Sequence, residues 1–342
     1  MPPADPFVAE NSDTRRAGTE EPYALGPAPT RTTVAPALVE QLIADQFPYW
    51  SGLTVEPVAE SGWDNVTFRL GSELLVRMPS AAEYALAVDK EHRWLPVLAS
   101  QLPQPVPRPI AKGRPGAGYP FPWSVYGWLQ GTPATLDQVT DPVRFAEDMA
   151  DFVAALRRVT TAGGPRPGKH NWYRGGPLRT FDGLLHTALT DLDADLGTGL
   201  VHTIWQRAIR ARWDGVERWF HGDLSQGNVL LADGCLAAVL DFGTCGVGDP
   251  ACDLAIAWTL LTEEGRQAFR RRLSVPDDEW ARGRGWALWK ALTVCADNRG
   301  SSDQVALGAR RALNELVTES RADTSSETGH AAGASVTTWP TR

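Results

Sequence analysis

Two short motifs in the second half of the chain constrain its fold and chemistry more than any other feature. Residues 221–228 have the sequence HGDLSQGN, and residues 241–243 have the sequence DFG. A phosphoryl-transfer site needs a carboxylate to orient the attacking hydroxyl, an amide that helps hold a metal ion, and a second carboxylate that binds metal across the phosphates. The order and spacing of the motifs predict the first role for Asp223 and the two metal-binding roles for Asn228 and Asp241.

The segment between the two motifs predicts a β-hairpin. Residues 229–231 and 236–240 are apolar, and the Asp-Gly pair at 233–234 between them is typical of a tight turn. Because a hairpin brings its two ends together, we expect Asn228 and Asp241 to be neighbours at one edge of a small sheet. Each polar residue alone has an ordinary structural explanation, in a loop, a turn or a strand end. The three together, in this order, indicate function.

The residues that follow the second motif distinguish small-molecule kinases from protein kinases. Only residues 244–248 separate the motif from Asp249-Pro250, which begins a predicted helix. A long activation segment, on which protein kinases dock peptides, does not fit there. The sequence also has Gly222 where the protein-kinase motif H-R-D has the arginine that pairs with an activating phosphate. A regulated protein kinase is therefore disfavoured.

These motifs resemble those of the aminoglycoside phosphotransferase family, H-G-D-x-x-x-x-N, D-F-G and G-D-P-x-x-D-L-A, the last at residues 248–255. The runs WDNVTFRL at 63–70 and WLQG at 128–131 extend the resemblance over roughly residues 35–318. It implies a two-lobed, protein-kinase-like α+β fold, with a small antiparallel β-sheet N-lobe and a mainly helical C-lobe. It also implies a nucleoside triphosphate, ATP or GTP, as donor, Mg²⁺ as cofactor, and a hydroxyl of a small molecule as acceptor. The motifs do not specify the acceptor, for which an aminoglycoside or related antibiotic is the leading class.

The resemblance further implies structural roles for polar residues around the motifs. Asp249 and Asp253 are expected to brace the catalytic loop by hydrogen bonds. His221 is expected to orient the loop and not to act as a base, because kinase chemistry gives the proton-accepting role to the aspartate.

The first half of the chain carries a candidate pair for the nucleotide phosphates. Strands are expected at about 54–60, 64–70 and 73–78, and a helix over 81–98. Kinases place a cation on the third strand to hold the α- and β-phosphates, and a helix glutamate positions it. Arg77 and Glu91 stand at those places, with Glu83 as a rival on the same helix. The resembling family more usually has lysine at the strand position, and Arg77 motivates the alternative of a non-catalytic nucleotide-binding pseudokinase.

Two further segments are candidates for the nucleotide site. The turn at 61–65 could cover the phosphates through backbone amides, although alone it is an ordinary hairpin turn with one glycine. The aromatic-rich run 120–129 is typical of the strand and hinge that link kinase lobes. We predict that backbone groups near Ser124 and Tyr126 contact the base edge. An aromatic core strand is the simpler explanation of the same residues, and the two interpretations are compatible.

The second half of the chain is predicted to be mainly helical, with helices over 142–159, 277–297 and 303–318. Acid clusters at 191–195 and 277–279 could receive a polycation, but a solvated face or a helix N-terminal charge explains each more simply. The polar-aromatic stretch 169–176 is a further candidate for the rim of an acceptor pocket.

Composition is consistent with a soluble two-lobed protein. A chain of 342 residues can hold two substantial cores, and no apolar run is long enough to span a bilayer, so no membrane partner is expected. The net charge of −8 argues against a nucleic-acid partner. The beginning lacks the basic-then-apolar order of a secretory signal, so the cytoplasm is expected. The sequence leaves the oligomeric state open.

We predict four segments. Residues 1–32 and 321–342, rich in small and polar residues, are expected to be disordered tails. Residues 33–126 form the predicted nucleotide-binding N-lobe, and residues 127–320 the catalytic and acceptor-binding C-lobe. The expected partners are a nucleoside triphosphate and a small-molecule hydroxyl acceptor. A metabolic small-molecule kinase that acts on an amino alcohol or a sugar is the alternative within enzymes.

Overall fold

The computed structural model describes residues 22–58, 64–192 and 198–328. The helices are α1 (Pro36–Gln46), α2 (Ala82–Ala99), α3 (Pro142–Arg158), α4 (Asp182–Asp191), α5 (Thr198–Arg210), α6 (Ile256–Thr259), α7 (Glu263–Leu273), α8 (Asp277–Asp297) and α9 (Gln304–Thr328). The strands are β1 (Val55–Pro57), β2 (Asn65–Leu70), β3 (Leu74–Pro79), β4 (Pro109–Gly113), β5 (Trp123–Gly127), β6 (Thr132–Pro133), β7 (Arg218–Phe220), β8 (Val229–Ala232), β9 (Cys235–Val239) and β10 (Gly246–Gly248).

Several sequence predictions fall outside the described residues. They are most of the two predicted tails, positions 61–63 of the candidate phosphate-covering turn, and Asp193 and Asp195 of the first acid cluster.

The first part of the chain forms a five-stranded antiparallel sheet in the order β1-β2-β3-β5-β4. Its strands follow the alternation expected of a half-buried sheet, because Phe68, Leu70, Val76 and Met78 point inward and are at most 1% exposed. These side chains share a core with the apolar face of α1. Helix α2 follows β3 and packs beside β4 and the 3₁₀ turn Phe242–Thr244, which contains the end of the DFG motif.

The second part is mainly helical, with two small sheets, β6-β8-β9 and β10-β7. Helix α8 is central, because it packs against α4, α5, α9 and the 3₁₀ segment Pro250–Ala255. Its tryptophans Trp280, Trp286 and Trp289 belong to the large hydrophobic core, as expected for aromatic residues at helical spacing.

The second acid cluster, at the beginning of α8, is engaged in ion pairs. Asp277 pairs with Arg270, and Glu279 Oε1 lies 2.7 Å from Arg157 Nη2. Acids in a first helical turn also complement the helix dipole. The ion pairs and the helix dipole therefore explain this acid cluster without a bound polycation.

Helix α9 continues to Thr328, so residue 321, the predicted beginning of the C-terminal tail, lies inside a helix. An established helix gains one hydrogen bond for each residue it adds, and extension can therefore continue through residues of modest helix propensity. Within the described residues, no helix is both long enough and apolar enough to cross a membrane.

Candidate active site

The β8-β9 hairpin places the two motifs side by side. Asp233 and Gly234, at its turn, have φ values of 50° and 75°, the positive values that a tight two-residue turn requires. At the open end of the hairpin, the Leu240 N–H donates to the Asn228 carbonyl oxygen at 2.8 Å. Asn228 and Asp241 are thereby held on adjacent strand ends, as the sequence predicted.

Asp223 lies at the centre of a compact set of donors. The Asn228 side-chain amide donates to the Asp223 backbone carbonyl at 2.9 Å and to Asp223 Oδ2 at 3.1 Å. The ammonium of Lys290, on α8, contacts the other carboxylate oxygen. Burial raises the pKa of Asp223, but the Lys290 ammonium and the Arg174 guanidinium outweigh burial and hold it below its usual range. The carboxylate is therefore ionised at neutral pH.

The predicted metal ligands retain free oxygen atoms. Asp241 Oδ1 accepts from Arg77 and from the Gly243 N–H, and its Oδ2 has no hydrogen-bond partner among the described residues. Asn228 uses its NH₂ group toward Asp223, and its Oδ1 likewise has no partner there. Carboxylate and amide oxygens are the hard ligands that Mg²⁺ prefers. The two residues therefore fit the predicted ion.

Arg77 connects the sheet to the catalytic hairpin. Its Nη1 lies 3.3 Å from Glu91 Oε1, and its Nη2 lies 2.8 Å from Asp241 Oδ1. Burial raises the pKa of the Asp241 carboxyl, but the Arg77 guanidinium outweighs it and the pKa is lowered. The structure selects Glu91 as the partner on α2, because the rival Glu83 is exposed.

The catalytic loop is fixed by polar contacts from a following segment. Asp253 accepts hydrogen bonds from the backbone N–H groups of His221 at 2.9 Å and Gly222 at 2.7 Å. His221 Nε2 lies 2.7 Å from the Leu240 carbonyl oxygen, so Nε2 carries the proton and Nδ1 accepts from the Asp223 N–H at 3.2 Å. Asp253 thus braces the loop, and His221 orients it.

The second acid expected to brace the loop has a different partner. Asp249 forms a two-pronged ion pair with Arg282 on α8, with 2.7 Å between Oδ2 and Nε. It also accepts from the Ala251 N–H at 3.1 Å, which caps the 3₁₀ segment. Asp249 therefore acts on the loop only through this segment, which carries Asp253.

Gly222, the departure from the protein-kinase motif, is required by local geometry. Its φ is +86°, which disfavours any residue with a side chain. A Cβ at this position would lie 2.7 Å from the Thr244 carbonyl oxygen and 3.1 Å from Arg174 Cβ. An arginine therefore cannot be accommodated without moving the loop.

The structure corrects the predicted position of the base contacts. Ser124 and Tyr126 lie inside β5, where their backbones pair with both β3 and β4. The Ser124 hydroxyl lies 3.1 Å from His92 Nε2, and the Tyr126 hydroxyl donates to Glu91 Oε2 at 2.7 Å. Both residues are 1% exposed, so they hold α2 against the sheet, and their backbones are not free to meet a base. The structure thus shows the aromatic core strand that the sequence indicated for these residues.

Helix α2 is tied to the segment after the DFG motif by a buried lysine. Lys90 Nζ donates to the carbonyl oxygens of Gly243 at 2.6 Å, Cys245 at 3.0 Å and His170 at 3.2 Å. Burial lowers the pKa of Lys90. Since Lys90 is adjacent to Glu91, this anchor fixes the helix that positions Arg77.

Asp64 is the described end of the candidate phosphate-covering turn, and its charge is coupled to the site. Burial, Asp241 and then Asp223 raise the pKa of Asp64 to about 7. The Ser80 N–H and hydroxyl donate hydrogen bonds to the Asp64 backbone carbonyl oxygen, at 2.9 and 3.1 Å.

Sequence reasoning missed Lys290, and it assigned Arg174 only to a stretch that could form a rim. Both belong to elements distant from the motifs, and only the tertiary fold brings them to Asp223. A signal existed for Lys290, because it is one of four lysines in the chain and directly follows the core residue Trp289.

A surface groove of about 590 Å³ lies elsewhere, between α5 and the beginning of α8, and is lined by residues such as His202 and Arg207. It contains none of the predicted site residues. The contacts of Lys290 and Asn228 converge instead on Asp223.

Comparison with known families is consistent with this geometry. The model of the phosphotransferase enzyme family matches residues 54–286, which contain every predicted site residue. The chain belongs to this family. It is accordingly an enzyme, a phosphotransferase with an alcohol group as acceptor, as the sequence predicted. No curated protein sequence matches this phosphotransferase at a significant level.

Solved structures share the fold of this phosphotransferase. The GDP and kanamycin complex of APH(2″)-IIIa is 20% identical, with 83% of this chain and 98% of that chain covered and a TM-score of 0.65. Macrolide 2′-phosphotransferase type I is 21% identical, with 86% of this chain and 98% of that chain covered and a TM-score of 0.55. The streptomycin-ATP-APH(2″)-IIa ternary complex is 15% identical, with 84% of this chain and 97% of that chain covered and a TM-score of 0.52. The predicted kinase-like α+β fold is thereby confirmed.

Proposed function

We propose that this phosphotransferase transfers the γ-phosphoryl group of ATP or GTP to a hydroxyl of a small molecule in a Mg²⁺-dependent reaction. An antibiotic acceptor, an aminoglycoside or a related compound, comes first, because the similar structures include complexes with kanamycin and streptomycin and a macrolide phosphotransferase. A metabolic amino alcohol or sugar is the second acceptor class.

The observation that carries the proposal is the convergence of Asp223, Asn228 and Asp241 beside the Arg77–Glu91 ion pair. These five side chains come from the catalytic loop, the hairpin end, β3 and α2. Together they correspond to the parts that phosphoryl transfer requires, namely a hydroxyl-orienting carboxylate, two oxygen ligands and a held cation.

The proposed reaction is a direct transfer of the phosphoryl group from the nucleotide to the acceptor oxygen. The acceptor hydroxyl donates a hydrogen bond to ionised Asp223, and its oxygen attacks the γ-phosphorus. The bond from that phosphorus to the β–γ bridging oxygen breaks, and the nucleoside diphosphate leaves with the electron pair. The hydroxyl proton passes to Asp223. A carboxylate of low pKa suits a loose transition state, in which little proton transfer is needed before the phosphorus–oxygen bond breaks.

Asn228 Oδ1 and Asp241 Oδ2 are the proposed ligands of Mg²⁺, which would neutralise charge on the phosphate oxygens. In the structure, Arg77 contacts Asp241 directly. We propose that Arg77 turns part of its guanidinium toward the α- and β-phosphates when nucleotide binds, while Glu91 keeps it in place. The planar guanidinium can serve both partners because its donors form a rigid fork.

The base contact moves in this proposal to residues 128–131, where the chain leaves β5 and enters β6. The Trp128 N–H is already bonded to the Glu73 carbonyl at 2.8 Å. The backbone of residues 129–131 lies outside the five-stranded sheet, and we propose that it contacts the base edge.

The test is a screen of the purified protein with Mg²⁺ and either ATP or GTP against antibiotics and metabolic alcohols. Phosphorylation is read as a mass gain on the acceptor, and EDTA provides the metal-free reference. We expect a product that requires both nucleotide and Mg²⁺.

The Asp241→Ala variant tests the proposed metal site. We expect it to lose Mg²⁺-dependent nucleotide binding as well as turnover, since one of the two ligands is removed. An unchanged metal dependence would exclude Asp241 from the site. Nucleotide binding by the parent without turnover of any acceptor would favour the pseudokinase.

A further inference from the structure

The side of Asp223 that faces α8 is occupied by a lysine. Lys290 Nζ contacts Asp223 Oδ1, while Oδ2 receives the Asn228 amide. The side chains of Lys290 and Asp223 are 26% and 29% exposed, so a molecule from solvent can reach both groups. Any hydroxyl that bonds to this carboxylate therefore lies next to an ammonium group.

A second cation, Arg174, borders the same loop, since a Cβ built on Gly222 would lie 3.1 Å from Arg174 Cβ, and the charge of Arg174 lowers the pKa of Asp223. Its guanidinium carbon is 4.4 Å from the centroid of the Trp289 ring, on α8, and 5.6 Å from that of Phe181. No hydrogen bond or ion pair holds its side chain within the described ranges 22–58, 64–192 and 198–328. Burial lowers the pKa of Arg174, and the nearby Asp223 opposes this effect. Arg174 is therefore a cation supported by aromatic rings.

The other acids near this pair have partners or functions of their own. Asp241 is paired with Arg77 and is proposed to bind metal. Burial and the neighbouring acids raise the pKa of Asp64 to about 7. Asp223 is the acid that Lys290 contacts, and the charges of Lys290 and Arg174 both lower its pKa.

We propose that the acceptor carries neutral or anionic groups, and no ammonium group, next to its reacting hydroxyl, because Lys290 and Arg174 line that part of its site. This inference rests on the proposed function and, within its acceptor classes, favours an acceptor without amines near the reacting hydroxyl, such as a sugar, over an aminoglycoside, whose amino groups neighbour its hydroxyls. An ammonium beside the hydroxyl would meet two like charges in a partly desolvated cleft, where charge repulsion is stronger than in water. Hydroxyl, carbonyl or carboxylate oxygens can accept hydrogen bonds from both side chains.

The opposite arrangement makes a different prediction. If Lys290 only occupies the place of a substrate ammonium and swings away when acceptor binds, polycationic acceptors would be preferred, and removal of Lys290 would leave that preference unchanged. The two accounts thus predict opposite preferences between an acceptor with ammonium groups and the same acceptor without them.

The test uses kanamycin and its fully N-acetylated form, which share a skeleton and hydroxyls but differ in ammonium groups. N-glycyl kanamycin, which restores ammonium groups at similar bulk, is the steric control. Phosphorylation with Mg²⁺ and ATP or GTP is measured by mass gain. Binding to the protein saturated with a non-hydrolysable nucleotide analogue is measured by calorimetry.

We expect the parent protein to bind or phosphorylate the N-acetyl form at least tenfold better than kanamycin or the N-glycyl form. Lys290→Glu is expected to shift this ratio at least tenfold toward kanamycin. The matched control is Lys112→Glu, an exposed lysine on β4 paired with Asp89, which is expected to leave the ratio unchanged. If Lys290→Glu does not fold, the ratio of the parent protein and the Lys290→Gln variant still give the answer.

A preference of the parent for kanamycin overturns the inference. So does equal behaviour of the probes, including the absence of reaction and binding for all of them. Failure of the proposed function is seen separately, as failure of the protein to bind or consume nucleotide in the presence of Mg²⁺.

Discussion

At the scale of a single residue, Arg77 distinguishes this site from one in which a lysine on the third strand contacts the phosphates. Its fork holds Glu91 on α2 and Asp241 after the hairpin at the same time. A lysine, a single point charge on a flexible stem, would satisfy two acids less rigidly. Sequence position identified Arg77 and Glu91 as a pair, but the contact with Asp241 depends on how the sheet meets the hairpin.

We predict that Arg77→Ala raises the nucleotide KM or lowers kcat, with a loss of roughly tenfold or more in kcat/KM, because the charge on the phosphates is unopposed. Arg77→Lys is expected to restore part of the activity. Exposed Arg108 provides the control substitution, Arg108→Ala. Steady-state kinetics at limiting nucleotide measure the effect. Full activity of a folded Arg77→Ala variant would show that another cation holds the phosphates.

The raised pKa of Asp64 makes the stability of the protein depend on pH. Its pKa is about 7 in the folded protein, against 3.8 for an ordinary aspartate, because burial, Asp241 and Asp223 disfavour its charge. Between these values the folded chain binds more protons than the unfolded chain. The contribution of Asp64 to stability is therefore complete below the lower value and is lost as pH rises through the higher one.

Asp64→Asn removes this titration. Relative to the parent, we expect the unfolding free energy of the variant to improve by roughly 4 kcal/mol between about pH 4 and pH 8. Urea unfolding at several pH values measures it, and exposed Asp45→Asn is the control. A difference between Asp64→Asn and parent that is independent of pH would mean that Asp64 is not desolvated.

At the scale of elements, the hairpin and the catalytic loop differ in how far sequence alone determines them. Apolar runs and the turn at 233–234 predicted β8 and β9 closely, because turn chemistry and strand patterning are local. The base contacts at Ser124 and Tyr126 were misplaced, since the sequence does not show on which side β5 finds partners. That depends on the pairing of β5 with both β3 and β4.

The brace from Asp253 to the catalytic loop predicts a combined loss of stability and activity. Asp253→Ala leaves the N–H groups of His221 and Gly222 without their buried acceptor. We expect destabilisation of roughly 2–4 kcal/mol, because unsatisfied buried donors are costly. Urea unfolding measures it, and kcat is expected to fall as Asp223 shifts. Parent-like unfolding would contradict the brace.

At the scale of the whole molecule, the site lies where the sheet, the hairpin and α8 meet. The motifs located Asp223, Asn228 and Asp241, because these residues are close in sequence and joined by one hairpin. Lys290 and Arg174 were not assigned to the site, because their position depends on the packing of α8 and of the 169–176 stretch against the loop. The acceptor recognition proposed for these two residues therefore depends on tertiary structure that short motifs do not encode.

The central claim is that Asp223 orients the acceptor hydroxyl and receives its proton. Asp223→Asn keeps the size of the side chain and removes its charge and basicity. The most direct measurement compares the Kd for nucleotide with Mg²⁺ and the single-turnover rate of acceptor phosphorylation in the variant and the parent. We predict a nearly unchanged Kd and a rate that falls by orders of magnitude. A variant that keeps most of the parent rate, under conditions where chemistry limits the parent, would contradict the account.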